Sequence, residues 1–286
     1  MRDKIVKFIF QIASERNAFD LLERKLSTWT LDDIKSALIE CGVMPEMFTH
    51  DSSEEKLWAK YSDILLSLSL NNLGISSEVI RIRGDAADVL GRNSSYSIVG
   101  DAKTFRLSRT AKNQKDFKIK ALDDWRRAND YALLLGPLSQ FPCNKSQIYK
   151  QAIERNVTLL SYVHLMFLLK YYTGNKNLET LWQTGQRLST SLSLNDQKNA
   201  ASYWTEIDQI VCKIVNASIS DLNAYKKIEK EKRTSLGMEG IKFWQDKIKE
   251  YESLSKKEAI RRLIKADKIE TKIEQTRKAI ERECIQ

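Results

Sequence analysis

Two short runs narrow the choice of fold more than anything else in the chain: YALLL at residues 131–135 and VTLLS at 157–161. Both are apolar nearly throughout and lack the in-out alternation of a strand that faces water on one side. Such strands belong in the middle of a parallel sheet, covered on both faces. Residues 146–155 between them read as a helix, so the segment is a βαβ unit with a right-handed crossover. Three more strands precede it, one at Val79, Ile80 and Ile82, one over 88–91 and one over 96–105. The turn signal Gly91-Arg-Asn-Ser-Ser joins the last two as a hairpin. A helix over 115–127, with Phe117, Leu122 and Trp125 inward, links the hairpin to 131–135, and another over 162–172 follows the last strand. Ahead of the strands, Ser52 or Ser53 caps a helix with Leu57, Tyr61, Ile64, Leu65 and Leu68 as its buried stripe, ending at Gly74.

The flanks are helical. Residues 2–26 have helical spacing, with Ile5, Phe8, Ile9 and Ile12 on one face. Thr30, with Asp33 three residues on, starts a second helix that Gly42 ends. A polar stretch over 173–195 marks a boundary. Beyond it only helical periodicity remains, broken near Gly237 and Gly240, with Ile210, Ile214, Leu222 and Tyr225 as core candidates. In the last stretch, 256–284, Ile260, Leu263, Ile264, Ile269, Ile273 and Ile280 are expected inside, against the same domain or a second subunit. The expectation is an α/β chain: a core over 48–174 with a mixed central sheet flanked by helices, an N-terminal helical region over 1–47 and a large C-terminal helical region over 175–286.

The net charge is +9 and the pI about 9.2, and the excess concentrates. Arg106, Arg109, Lys112, Lys115, Lys118 and Lys120 stand against the single acid Asp116, a density that suits a phosphate backbone. Cys41, Cys143, Cys212 and Cys284 are far apart, with no zinc spacing, as for reduced thiols in a cytoplasmic protein. The apolar run near the N-terminus is followed by Ser14, Glu15 and Arg16 and reads as an amphipathic helix rather than a signal peptide. No stretch approaches the roughly 20 apolar residues of a membrane span. The absence of a glycine-rich phosphate loop argues against an NTPase or kinase. With only His50 and His164 present, histidine-based catalysis has little material, and His164, in an apolar helix, reads as a core residue.

The chemistry gathers in residues 84–120. If the hairpin turns about Ser94 and Ser95, Asp88 faces Asp101 across the ladder, with Cβ atoms about 5 Å apart. Alternation then puts Lys103 on the face of Asp101, and a slip of one residue would undo the arrangement. Two acids side by side are costly without a cation. Phosphodiester hydrolysis uses a hard one, and Mg²⁺ takes oxygen ligands. Asp88 and Asp101 supply charge, the Ala102 carbonyl a third oxygen, and Lys103 positions the attacking water or counters charge on the phosphate. A lone D-x-K triplet is commonplace. The apolar approach through Ile98 and Val99 and the facing acid make this one specific. Beyond it, Arg106, Arg109 and Lys112 suit phosphates, while Asn113, Gln114, Lys115 and Asp116, followed by Lys118 and Lys120, suit base edges. Glu55, by position alone, is a solvated acid favoured by a helix N-terminus. Four readings compete on these residues: a site-specific endonuclease, a repair or junction-resolving nuclease of the same fold, a DNA-binding protein without catalysis, and a helical interaction protein, which leaves the paired acids unexplained.

The segment DAKTFRLSRTAKNQKDFKIKAL at 101–122, with SSEEKL at 52–57, GDAADV at 84–89, DYALLL at 130–135 and NKSQIYKQ at 144–151, resembles the HindIII-type type II restriction endonucleases of the PD-(D/E)xK superfamily. The likeness runs from about residue 40 to 170 and is weaker outside. It implies a PD-(D/E)xK core with Asp88 as its first acid and Asp101 and Lys103 as the D-x-K pair. Ala87 stands where the general signature has Pro. The likeness also implies that Glu55 is the helical acid often found near the metal. It further implies a Mg²⁺-dependent homodimer that cuts palindromic double-stranded DNA, AAGCTT, leaving 5′ overhangs and 5′-phosphates. A two-fold protein matches a two-fold site. A cognate DNA methyltransferase is then expected in the same host, not as a stable subunit.

Overall fold

A computed structural model describes residues 1–81, 87–109, 114–174, 177–194 and 196–281, with the backbone alone at 114, 115 and 277–281. The chain divides into two compact units, Met1–Gly237 and Met238–Gln286. The first begins with α1 (Arg2–Ile12), α2 (Ala18–Leu26), α3 (Leu31–Leu38) and α4 (Ser53–Asn72). The single helix expected over 2–26 is two, and the break lets both apolar stripes, Ile5 with Ile9 and Leu22 with Leu26, become buried. Thr30 caps α3 in a full capping box with Asp33. The helix ends at Leu38, short of Gly42, whose bare Cα allows close packing: a Cβ there would meet Pro137 Cγ at 2.7 Å.

The strands follow as β1 (Ser76–Val79), β2 (Val89–Arg92) and β3 (Ser97–Ala102), then α5 (Gln114–Phe117), α6 (Ile119–Arg126), β4 (Tyr131–Gly136), α7 (Gln147–Glu154), β5 (Val157–Ser161) and α8 (Tyr162–Tyr171). They form one five-stranded sheet in sequence order. Its β1–β2–β3 part is antiparallel and its β3–β4–β5 part parallel, so the sheet is mixed. It is flanked by helices, as expected from the sequence. β4 and β5 are buried at every position, which is why they read as apolar runs. Ile82 lies outside the described residues.

The helix expected over 115–127 is divided by Lys118, in the left-handed region at φ 49°. Phe117 and Ile119 are both buried, and residues two apart on one helix point to different sides. The turn at Lys118 lets both reach the core. Phe117 stacks on Phe141 at 4.9 Å and packs on Phe105 at 5.7 Å between ring centres.

The unit continues with α9 (Glu179–Trp182), α10 (Thr184–Ser191), α11 (Ala200–Val215) and the start of α12 (Ile219–Glu252). His164 is a core residue as expected, its Nε2 2.8 Å from Asp208 Oδ1, with Lys226 on the other oxygen of Asp208. The expected breaks at Gly237 and Gly240 do not occur. Each glycine costs about 1 kcal/mol against alanine in a helix, and α12 runs through both.

The second unit holds the end of α12, then α13 (Lys256–Ala266) and α14 (Ile269–Glu281), separated at Lys268. Ile260, Leu263, Ile269 and Ile273, expected inside, are exposed, because two short helices cover little of each other. The side chain of Ile280, and Cys284, lie outside the described residues. Cys41, Cys143 and Cys212 are free thiols, and among the described residues no helix is long and apolar enough to cross a membrane.

α4 is the part of the fold that positions the site. It is buried on most sides, from Leu57 and Trp58 to Leu70, and the bare Cα of Gly100 in β3 admits Leu66, which a Cβ would meet at 2.9 Å. Gly100→Val should therefore destabilise the chain by about 1–3 kcal/mol through overpacking, read as a lower urea midpoint. An unchanged midpoint would show that α4 and β3 do not depend on this close approach.

Candidate active site

The expected hairpin register holds from Val89 to Arg92, with Val89 opposite Gly100 and Leu90 opposite Val99. The Asp88 amide, however, donates to Gly100 O at 3.1 Å, so Asp88 and Val89 both lie against Gly100 and the expected pairing of Asp88 with Asp101 is offset by one residue, as in a bulge. β4 extends β3 by one more bond, from Lys103 N to Leu135 O at 2.8 Å. The Tyr162 hydroxyl donates to Lys103 O at 3.0 Å. The D-x-K triplet is thus held by the hairpin on one side and by the parallel sheet and α8 on the other.

The structure adds a third acid to the pair. Asp63, on α4, joins Asp88 and Asp101, and one oxygen from each lies within 4.8 Å of the others. Asp63 and Asp101 are buried and Asp88 is partly open. Two ammonium groups face this charge. Lys103 Nζ pairs with Asp101 Oδ2. Lys60 Nζ lies 2.5 Å from Asp88 Oδ1 and 3.1 Å from Asp63 Oδ2. Asp63 Oδ1 is buried without a hydrogen-bond partner. Three carboxylates against two ammoniums, with one buried oxygen unmatched, make a site that fits a hard divalent cation: the donors are all oxygens of the kind Mg²⁺ and Ca²⁺ take. Ala102 O accepts from Ser62 Oγ at 3.4 Å and, as a carbonyl, has a second lone pair.

The electrostatics match the geometry. Burial pushes the Asp63 carboxyl well above the ordinary range, and repulsion from Asp88 and Asp101 adds to it, against the pull of Lys60. Burial also raises Asp101, with Asp88 adding, while Lys103 and the nearby Lys118 oppose. For Lys60, burial acts downward, but Asp63 and Asp88 outweigh it and hold the ammonium above its usual value.

Glu55 is not brought to this cluster. It lies eight residues before Asp63 on α4, about 12 Å along the axis. Its Oε1 takes the Arg106 guanidinium at 2.5 Å, its Oε2 the Asp51 amide at 2.5 Å, and His50 Nδ1 is 3.3 Å away. Burial raises the Glu55 carboxyl, yet the Asp51 amide and Arg106 outweigh it and hold it below the usual value. Arg106 also donates to Phe48 O at 2.6 Å, so it buckles the segment after β3 to the start of α4. Arg109 pairs with Asp116 and lies over the Phe105 ring, 5.5 Å from its centre. Lys118 and Lys120 are exposed on either side of buried Ile119. Lys112 and Asn113, and the side chains of Gln114 and Lys115, lie outside the described residues.

Sequence reasoning missed Asp63 and Lys60. A signal was present: α4 is apolar on nearly every side, and an acid inside such a helix is almost never fully buried unless it is paired.

Asp63 and Asp101 hold protons more tightly folded than unfolded. The metal-free protein therefore loses stability as pH rises from the ordinary carboxylate range toward their raised values. Asp63→Asn should melt higher than wild type in EDTA at neutral pH. Mg²⁺ should stabilise wild type, by about 2.7 kcal/mol at a hundredfold excess over Kd, but not the variant. A variant that gains as much from Mg²⁺ as wild type does would place the ion elsewhere.

The chain matches the profile of a family described as HindIII restriction endonuclease over residues 3–280. It is 36% identical over 241 residues to the Type II restriction enzyme HindIII of Haemophilus influenzae, which covers 82% of this chain and 79% of that one. Among solved structures, the small subunit of the heterodimeric restriction endonuclease R.BspD6I is similar at 14% identity with a TM-score of 0.41, over 63% of this chain and 98% of that one.

Proposed function

Because the chain belongs to the HindIII restriction endonuclease family, and so is a type II restriction endonuclease, we propose that it cuts double-stranded DNA at the palindrome AAGCTT with Mg²⁺ as cofactor. The observation that carries the reading is the cluster of Asp63, Asp88 and Asp101 beside Lys103. Water attacks the phosphorus, the bond from phosphorus to O3′ breaks, and the products carry a 3′-hydroxyl and a 5′-phosphate on staggered 5′ overhangs.

Asp63, Asp88 and Asp101, with the Ala102 carbonyl, would hold the ion. Bound Mg²⁺ supplies Lewis acidity toward the scissile phosphate and the attacking water. Asp101 fixes the Lys103 ammonium, which orients the water or counters charge developing on the phosphate. Asp63 takes the part of the helical acid near the metal, and Glu55 acts at a distance by fixing Arg106. Arg109, Lys112, Lys118 and Lys120 suit phosphates, and Asn113, Gln114, Lys115 and Asp116 suit base edges. The core over 48–174 carries the chemistry, with the helical regions on either side as additions.

A palindromic target calls for a two-fold protein, so the working form is a homodimer. The exposed Ile241, Trp244, Ile248 and Tyr251 of α12 are the kind of apolar surface a second copy would cover. Acting on DNA, it works in the cytoplasm, in a host whose methyltransferase protects the same sequence.

Digestion of a DNA of known sequence, with the ends mapped, tests this. Mg²⁺ should give discrete fragments ending at one palindrome and EDTA none; a random smear would sink the proposal. Lys103→Ala should lose at least about 10²-fold in cutting while binding the duplex within a few-fold of wild type. Cutting that survives this change would remove Lys103 from the mechanism.

A further inference from the structure

We propose that Lys60 is the resident cation of the carboxylate cluster: its ammonium competes with the divalent ion for Asp63 and Asp88 and is displaced when that ion enters. The proposal rests on the reading of Asp63, Asp88 and Asp101 as a metal centre. Lys60 Nζ bridges Asp88 Oδ1 at 2.5 Å and Asp63 Oδ2 at 3.1 Å. Both acids belong to the set whose oxygens lie within 4.8 Å of one another. Among the described residues Lys60 is the one cation paired with either of them. An ion bound by these oxygens and an ammonium bonded to the same oxygens would occupy one place.

The two lysines of the site are built differently. Lys103 stands on a strand whose backbone is bonded to Leu135 and to Tyr162, and its ammonium sits on Asp101, where it can stay with an ion in place. Lys60 rises from α4 one turn before Asp63, and about a third of its side chain is open to water (35%). Its long stem can carry the ammonium outward along the surface while the helix stays fixed. In that position it leaves all three acids to the ion. In the absence of metal it keeps Asp88 and Asp63 from repelling each other apart.

Mn²⁺ binding to the full-length protein without DNA, followed by electron paramagnetic resonance or calorimetry, tests this on wild type, Lys60→Met and Lys60→Arg. Removing a positive charge this close should tighten Mn²⁺ binding about tenfold or more in Lys60→Met, while Lys60→Arg stays near wild type. Equal or weaker binding by a natively folded Lys60→Met would overturn the proposal and assign Lys60 a scaffold role. Absence of Mn²⁺ binding in wild type as well would overturn the metal centre itself. A second measurement needs no variant. Reductive methylation of wild-type Lys60, read by peptide mass spectrometry with Lys103 as reference, should be several-fold faster with Mn²⁺ present. Labelling that is unchanged or slowed by Mn²⁺ would show that the ammonium is not displaced.

Discussion

Three carboxylates held within reach of one ion are the constraint on which this structure turns. Asp63, Asp88 and Asp101 come from a helix and from the two strands of a hairpin, and like charges so close together repel unless cations separate them. The fold meets that demand by rigidity. Asp101 and Lys103 are locked between the hairpin and the parallel half of the sheet. Asp63 is carried by a helix buried on most sides and seated on the bare Cα of Gly100. The two lysines offset part of the charge, and the unmatched Asp63 Oδ1 leaves a place that a divalent ion completes.

The same rigidity extends from the carboxylates into the chain that follows β3. Residues 102–109 lead from the site into the basic segment. Phe105, Phe117 and Phe141 pin that segment to the core, and Arg106 clasps it to Glu55 and Phe48 O at the start of α4. Arg106 pairs with Glu55 and Arg109 with Asp116, so part of the basic run also shapes the segment itself.

The site was half legible in the sequence. The turn residues at 91–95 and the alternation on both sides of them are local signals, so the hairpin register from Val89 to Arg92 followed from them, while the one-residue offset that puts the Asp88 amide on Gly100 O did not. β4 and β5 were legible because burial on both faces leaves nothing polar to confuse the reading. Asp63 was not, because it lies outside the stripe of Leu57, Tyr61, Ile64, Leu65 and Leu68 that the spacing marks as buried, and its partners are 25 and 38 residues away in the chain. Glu55 was expected near the metal, as a catalytic acid, through a family likeness, yet its partner, Arg106, arrives only through tertiary packing. The left-handed turn at Lys118 was hidden for a similar reason: it answers the need to bury both Phe117 and Ile119, which helical spacing alone does not express. In α12, good helix formers around Gly237 and Gly240 outweighed two local breakers.

Anomalous scattering from crystals soaked in Mn²⁺ tests whether one divalent ion is held by acids from α4 and the hairpin together. A peak is expected within about 2.2 Å of carboxylate oxygens of Asp63, Asp88 and Asp101, with the Lys60 ammonium moved off Asp88. A peak at His50, Asp51 and Glu55 instead, or one that touches Asp88 and Asp101 while Asp63 stays bonded to Lys60, would rule out such a shared site.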